Sequence, residues 1–215
     1  FRGDVTGTTS FAMAVQADLH AVRYDIERGE HSLRSFFSEV DFTRINAPGV
    51  AGDKAGQALE VHFQRLLASE LYHHSRRRYS VTVEPHTAES KRRDVFCSQG
   101  DWGASIELKM SERWTLEDYL VALEDQLVGQ YMRNNKATTG FLVLVLQRDR
   151  RWKDPITGRK TMTFADVLSA LTLKAQELEA ADRSRYLRVI GIDALKPDDF
   201  RAKPPAKVVR RRQSQ

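Results

Sequence analysis

The tripeptide Glu107-Leu108-Lys109 stands thirteen positions after Asp94, at the end of a short apolar run. Strand side chains alternate faces, so Glu107 and Lys109 project to one side while Ile106 and Leu108 face the other. Asp94 opens the preceding run, Asp94-Val95-Phe96-Cys97-Ser98, and Gln99-Gly100-Asp101-Trp102-Gly103 reads as the turn between them. Folding that hairpin back sets Asp94 beside Glu107. Two carboxylates and an ammonium group so placed suit a hard divalent cation and a water attacking a phosphodiester. Taken singly, each residue also has an ordinary reading. Glu107 and Lys109 are compatible with an exposed same-face ion pair worth under about 1 kcal/mol, and Asp94 with the punctuation of a strand.

The hairpin needs elements to hold it. The helix predicted over residues 54–75 points Leu59, Phe63, Leu66, Leu67 and Leu71 toward a core. Glu60 falls beside that stripe, where a carboxylate is costly unless it is paired, reaches water or binds a metal. Residues 79–84 alternate and are β-branched, as a strand requires. Thr115 with Asp118 starts a helix to about residue 133, with an apolar stripe of Leu116, Tyr119, Leu120, Leu123, Leu127 and Tyr131. Gln126 and Gln130 sit one turn apart at its border, within reach of the same cleft. Residues 139–146 form an apolar strand buried on both faces. A basic loop with Pro155 and Gly158 leads to a second Thr/Asp cap, Thr163 with Asp166, and a helix to about residue 181. A last strand covers 186–192. The fold class expected is α/β, a mixed central sheet flanked by helices.

Before this unit the pattern predicts a helix over 9–29, a short helix near 32–40 and a breaker-rich loop at 46–52, after which Asp53 caps the next helix. Residues 1–52 are therefore set apart as a helical accessory segment or the tail of a missing upstream domain. Residues 53–200 form the main domain, and the basic tail 201–215 is expected to be disordered. Because residue 1 is Phe, the chain reads as a fragment of a longer polypeptide, with an upstream domain as one partner.

Charge is unevenly spread. Residues 1–53 carry five Lys/Arg against eight Asp/Glu, and the rest of the 215-residue chain carries 29 against 21. The basic runs Arg76-Arg77-Arg78, Lys91-Arg92-Arg93, Arg148/Arg150/Arg151 and Arg210-Arg211-Arg212 flank the acidic hairpin. Such clusters neutralise phosphates, although any one of them also serves solubility. Arg92, Arg93, Arg113, Arg76 and Arg77 are the expected nucleic-acid contacts. No apolar stretch approaches the roughly 20 residues of a membrane span. One cysteine, Cys97, excludes an internal disulfide and fits a reducing cytoplasm. The histidines lack zinc-ligand spacing, and no GxxxxGK[ST] loop is present. Trp102 and Trp114 offer stacking surfaces for a base or sugar, or aromatic packing.

Asp94, Glu107-Leu108-Lys109, the helix bearing Glu60 and the Gln-bearing helix together resemble the PD-(D/E)xK nuclease superfamily, the restriction-endonuclease-like fold, over about residues 54–146. The resemblance implies a Mg²⁺-dependent DNA nuclease, with Mn²⁺ as a substitute. It makes Asp94 and Glu107 the metal ligands, with the Leu108 carbonyl as a further one. Lys109 becomes the catalytic lysine, Glu60 the helix glutamate and Gln126 the glutamine of the RecB-like branch. Arg93 stands where the family name has proline. That branch also has a tyrosine four residues after its glutamine, whereas here the position is Gln130 and Tyr131 follows.

The biological role this implies is the effector of a restriction or anti-phage defence protein, acting on DNA, with RNA also open and a homodimer required for double-strand cutting by one site per chain. Two other readings stand beside it: a repair or recombination nuclease, and a non-catalytic nucleic-acid-binding module on the same fold. Substitution of Asp94 or Lys109 by Ala is expected to abolish cleavage with the melting profile nearly intact.

Overall fold

The computed structural model describes residues 5–28, 52–83, 94–111, 114–132 and 138–195, with side chains of the second segment from residue 61 onward. The short helix near 32–40, the breaker loop and the basic tail of the sequence reading lie outside the described residues.

Helices α1 (Thr8–Arg28) and α2 (Gly52–Ser75) precede strands β1 (Ser80–Val83), β2 (Val95–Gln99) and β3 (Trp102–Met110). Helix α3 (Leu116–Val121) runs directly into a π-helix (Ala122–Tyr131), followed by β4 (Thr139–Leu146), a small ribbon of β5 (Trp152–Lys153) and β6 (Lys160–Met162), helix α4 (Phe164–Ala181) and β7 (Tyr186–Asp193). The main sheet has the order β1-β2-β3-β4-β7. Its β1-β2-β3 half is antiparallel, while β3, β4 and β7 run parallel. Thus a mixed five-stranded sheet flanked by helices is observed.

Local chemistry explains most of these elements. β2 and β3 join through Gly100-Asp101, and Gly100 takes φ +56°, a left-handed conformation open to glycine without steric cost. Both Thr/Asp pairs form complete capping boxes, Thr115–Asp118 on α3 and Thr163–Asp166 on α4. All eight residues of β4 are buried, as expected of a central strand covered on both faces. The ribbon β5–β6 replaces the expected basic loop. With only five strand residues, two of them hydrophobic, it has no periodicity to read.

The two faces of the sheet carry separate cores. On one face α1 and α2 pack Phe11, Val15, Leu19, Phe63, Leu67 and Leu71 against Cys97, Ala104, Ile106, Leu108 and Val143. On the other face the α3/π-helix and α4 pack Tyr119, Leu123, Leu127 and Leu171 against Leu142 and Leu144. Each large side chain fully withdrawn from water contributes about 1.5–3 kcal/mol.

Helix α1, set apart from the core by the sequence reading, is thereby built into it: Phe11, Val15, Leu19, Val22 and Ile26 are all fully buried. A buried polar tie adds to this. Arg78 donates to both oxygens of Asp18 at 2.6 and 2.8 Å, and the Tyr79 hydroxyl donates to Asp18 Oδ2 at 2.7 Å. Burial is the largest cause holding the Tyr79 hydroxyl well above its ordinary pKa. Cys97 is fully buried on this face, and the same desolvation pushes its thiol up, so it is not a reactive thiolate.

Candidate active site

Strand β3 explains the placement of the acidic hairpin. Ala104, Ile106, Leu108 and Met110 belong to the α1/α2 core, so alternation sends Ser105, Glu107, Lys109 and Ser111 toward the α3/π-helix layer. The four polar residues form one stripe on that face, beside β4, whose residues from Gly140 to Leu146 are all apolar.

Within the stripe, Lys109 Nζ lies 2.6 Å from Glu107 Oε1, with side chains only 6% and 2% exposed. The exposed ion pair considered from sequence is therefore replaced by a desolvated one. The ammonium also sits 4.4 Å from the centre of the Trp114 ring. Trp114 packs against the second core, and its carbonyl accepts from Trp152 Nε1 at 3.0 Å. Trp114 is thus a support for Lys109 rather than an open stacking surface, and Trp102 packs against the first core. The expectation that Lys109→Ala leaves melting intact is also revised, because the change removes a counter-charge 2.6 Å from the buried Glu107 carboxylate.

Asp94 sits one residue before β2 and accepts a hydrogen bond from the Leu108 backbone N–H at 2.7 Å. Its carboxylate extends the β2–β3 ladder by one position past the pair Val95↔Ile106. The N–H and C=O of a strand residue leave on the same side, so the Leu108 carbonyl is directed to the side on which Asp94 lies. Asp94 and the Glu107–Lys109 pair thus stand at adjoining positions of the β2–β3 ladder.

The remaining predicted residues distribute unevenly. Gln126 lies on the π-helix, which packs on this face of the sheet, and its Oε1 is buried and accepts no hydrogen bond from a described residue. Ser105 Oγ on the stripe is in the same condition. Buried polar atoms of this kind call for a ligand, a water or an ion. Glu60 is carried by α2, but its side chain is outside the described residues. That helix packs Phe63, Leu67 and Leu71 on the sheet face opposite Glu107. Arg92, Arg93 and Arg113 also lie outside the described residues. Arg76 and Arg77 occupy the exposed turn after α2 with φ of 49° and 64°. Arg77 lines a cleft with Tyr72, Ser98 and Gly100, at the turn end of the hairpin. Asp94 is at the other end, six residues and about 20 Å away, so this arginine pair does not join the acidic site.

The helix carrying Gln126 departs from α geometry. The Met132 N–H donates to the Leu127 carbonyl at 3.1 Å, an i→i−5 bond. That register widens the turn beyond the α-helical one, and Tyr131 packs in the second core with Leu123 and Leu127. Gly140 at the start of β4 permits the close packing of this helix, since a Cβ there would lie 2.7 Å from Met132 Sδ and 3.1 Å from Leu127 Cγ.

Among the described residues no group of three or more His, Cys, Asp or Glu side chains could hold a metal ion. Two carboxylates nevertheless fit magnesium, which takes oxygen only, is commonly bound through one or two carboxylates and keeps several waters. Zinc, with its preference for nitrogen and sulfur, does not fit this donor set. Sequence reasoning missed Trp152 and the way it braces the strand end together with Trp114 and Arg150. The Arg150 guanidinium donates to the Ser111 carbonyl and lies 4.7 Å from the centre of the Trp152 ring.

Comparison of the chain with family models, curated proteins and solved structures gives no match. No helix among the described residues is long and apolar enough to cross a membrane.

Proposed function

We propose that the chain is a Mg²⁺-dependent nuclease of the PD-(D/E)xK type that hydrolyses phosphodiester bonds of DNA. The observation that carries this reading is the Asp94 carboxylate fixed on the Leu108 N–H at 2.7 Å, alongside the buried Glu107–Lys109 pair of the same strand. A helix–sheet order with the acidic hairpin between two helical layers supports the restriction-endonuclease-like assignment.

Asp94 and Glu107 are the residues that would hold the cation, joined by the Leu108 carbonyl. A magnesium ion bound there supplies Lewis acidity at a phosphodiester oxygen. The chain's own contribution is positional. Asp94 is oriented by a backbone donor and Glu107 by Lys109, so neither carboxylate must reorganise when substrate arrives. Lys109, held over Trp114, presents a fixed positive charge to the anionic transition state. Gln126 brings an amide whose oxygen has no described donor, suited to accepting a hydrogen bond from an attacking water. The stripe is roofed by the π-helix, a helix type that recurs at functional sites.

A cleavage assay with Mg²⁺, against an EDTA control, on circular, linear and single-stranded DNA and on RNA tests this. Nicking of closed circular DNA supports the endonuclease reading and, with it, a restriction or defence effector. Dependence on ends assigns the chain to repair or recombination chemistry. Binding without turnover of any substrate refutes catalysis and leaves a nucleic-acid-binding module.

A further inference from the structure

The β5–β6 ribbon ends in the turn Asp154-Pro155-Ile156-Thr157-Gly158, and Ile156 at its tip is 92% exposed. The other exposed large hydrophobic residues among those described lie between 45% and 62%. The turn presents this side chain on a fixed backbone. Asp154 Oδ1 accepts the Ile156 N–H at 2.8 Å. The Asp154 N–H donates to the Arg159 carbonyl, and the Gly158 N–H to the Asp154 carbonyl, both at 2.8 Å. Gly158 supplies the left-handed φ of +69° that closes the loop. A turn so fixed presents one branched apolar side chain to whatever receives it.

Charge around the tip indicates what does. Residues 148–160 carry six Lys/Arg against Asp149 and Asp154. Lys153, Arg159 and Lys160 are exposed and form no ion pair among the described residues. The ribbon's roots, meanwhile, are bonded to the end of the catalytic strand, through Arg150 to the Ser111 carbonyl and Trp152 to the Trp114 carbonyl. Ile156 is four residues beyond Trp152, a reach of up to about 13 Å, or roughly four base steps of a duplex. Apolar side chains flanked by cations are how minor-groove proteins unstack and kink a base step.

We propose that the ribbon is a wedge: its cations grip the two phosphate backbones while Ile156 inserts between stacked bases within a few steps of the cleaved bond. This rests on the nuclease reading and specifies its substrate as a duplex that must be distorted, so mismatched or nicked steps, which unstack more readily, are preferred sites.

The test uses 30-base-pair duplexes with 2-aminopurine scanned across the bound region, titrated with the chain in EDTA so that no cleavage occurs. Binding is followed by anisotropy and unstacking by fluorescence. The wild type is expected to raise the fluorescence several-fold at one or two adjacent positions. Ile156→Ala should bind within about threefold of wild type and lose most of the rise, while Ile156→Phe retains it. Replacing Lys153, Arg159 and Lys160 by Ala should weaken binding and reduce the salt slope by roughly 2–3. Binding with no rise anywhere, or an equal rise with Ile156→Ala, overturns the wedge while leaving Mg²⁺-dependent cleavage untouched. Absence of both DNA binding and cleavage overturns the wedge and the nuclease reading together. A dimer of the wild type that Ile156→Ala abolishes in sedimentation would give the tip to a second copy and overturn the wedge.

Discussion

Lys109→Met is the most discriminating perturbation of the site. Methionine preserves the apolar stem over Trp114 and removes only the ammonium. Glu107 then stays 1% exposed while losing the counter-charge now held at 2.6 Å from its Oε1. Removing one partner of a buried pair costs about 3–5 kcal/mol, because the remaining charge has been taken out of water without compensation. Loss of the cation–π contact adds about 0.5–2 kcal/mol. At roughly 2–4 °C per kcal/mol for a chain of this length, Lys109→Met should melt about 7–28 °C below wild type. The double variant Glu107→Gln/Lys109→Met buries no charge and should recover most of that loss, although it too is inactive. Thermal melting and urea unfolding of the wild type and both variants measure the effect. A Lys109→Met melting point within about 2 °C of wild type, or a double variant no more stable than the single one, refutes the desolvated pair.

Four further outcomes follow from other parts of the molecule. Asp94→Asn keeps an acceptor for the Leu108 N–H, so it should melt within about 1 kcal/mol of wild type and lose cleavage, whereas Asp94→Ala orphans the donor and costs about 1–3 kcal/mol. Asp18→Ala strips Arg78 and Tyr79 of a shared buried partner and should destabilise by about 3–5 kcal/mol, measured by urea unfolding; a neutral result would mean that α1 is not locked to the sheet. Glycine to alanine in an exposed α-helix gains about 1 kcal/mol, but a Cβ at Gly129 would meet the Glu124 carbonyl oxygen at 3.1 Å. Gly129→Ala should therefore give no gain, and a clear rise in melting point would contradict the π register. Hydrogen bonds from Thr115, the backbone N–H first, hold the Asp118 carboxyl below its ordinary range, and Thr163 does the same for Asp166. Depressed folded-state values give stability that is full above the unfolded carboxylate range near 4 and is lost as pH falls through the folded values; Thr115→Ala should lower the melting point at pH 7 by about 2–4 °C and flatten this acid limb.

What the sequence disclosed depended on how local the governing physics was. The hairpin, the capping boxes of Thr115 and Thr163 and the doubly buried strand from Thr139 are set by neighbours in the chain, and all were legible. That the hairpin returns Asp94 to the segment of Glu107 was legible from one tight turn, but its bond to the Leu108 N–H was not. Burial of the Glu107–Lys109 pair was not, since it depends on a helical layer delivered by residues 116–131. The π-helix left no trace: the buried positions Tyr119, Ala122, Leu123, Leu127, Val128 and Tyr131 recur in the threes and fours of an ordinary α-helix. That helix α1 joins the core was not legible, because the partners of its Asp18, Arg78 and Tyr79, and the strand β7 lie 60 or more residues along the chain. The ribbon escaped notice because two very short strands carry no period, and its indole–carbonyl bond to Trp114 is a tertiary contact.

The most direct test of the central claim is a count of bound Mn²⁺ by the electron paramagnetic resonance signal of the free ion. The account predicts Mn²⁺ bound by the wild type and displaced by Mg²⁺, with that binding lost in Asp94→Asn and in Glu107→Gln. Mn²⁺ binding undiminished in both variants would contradict it.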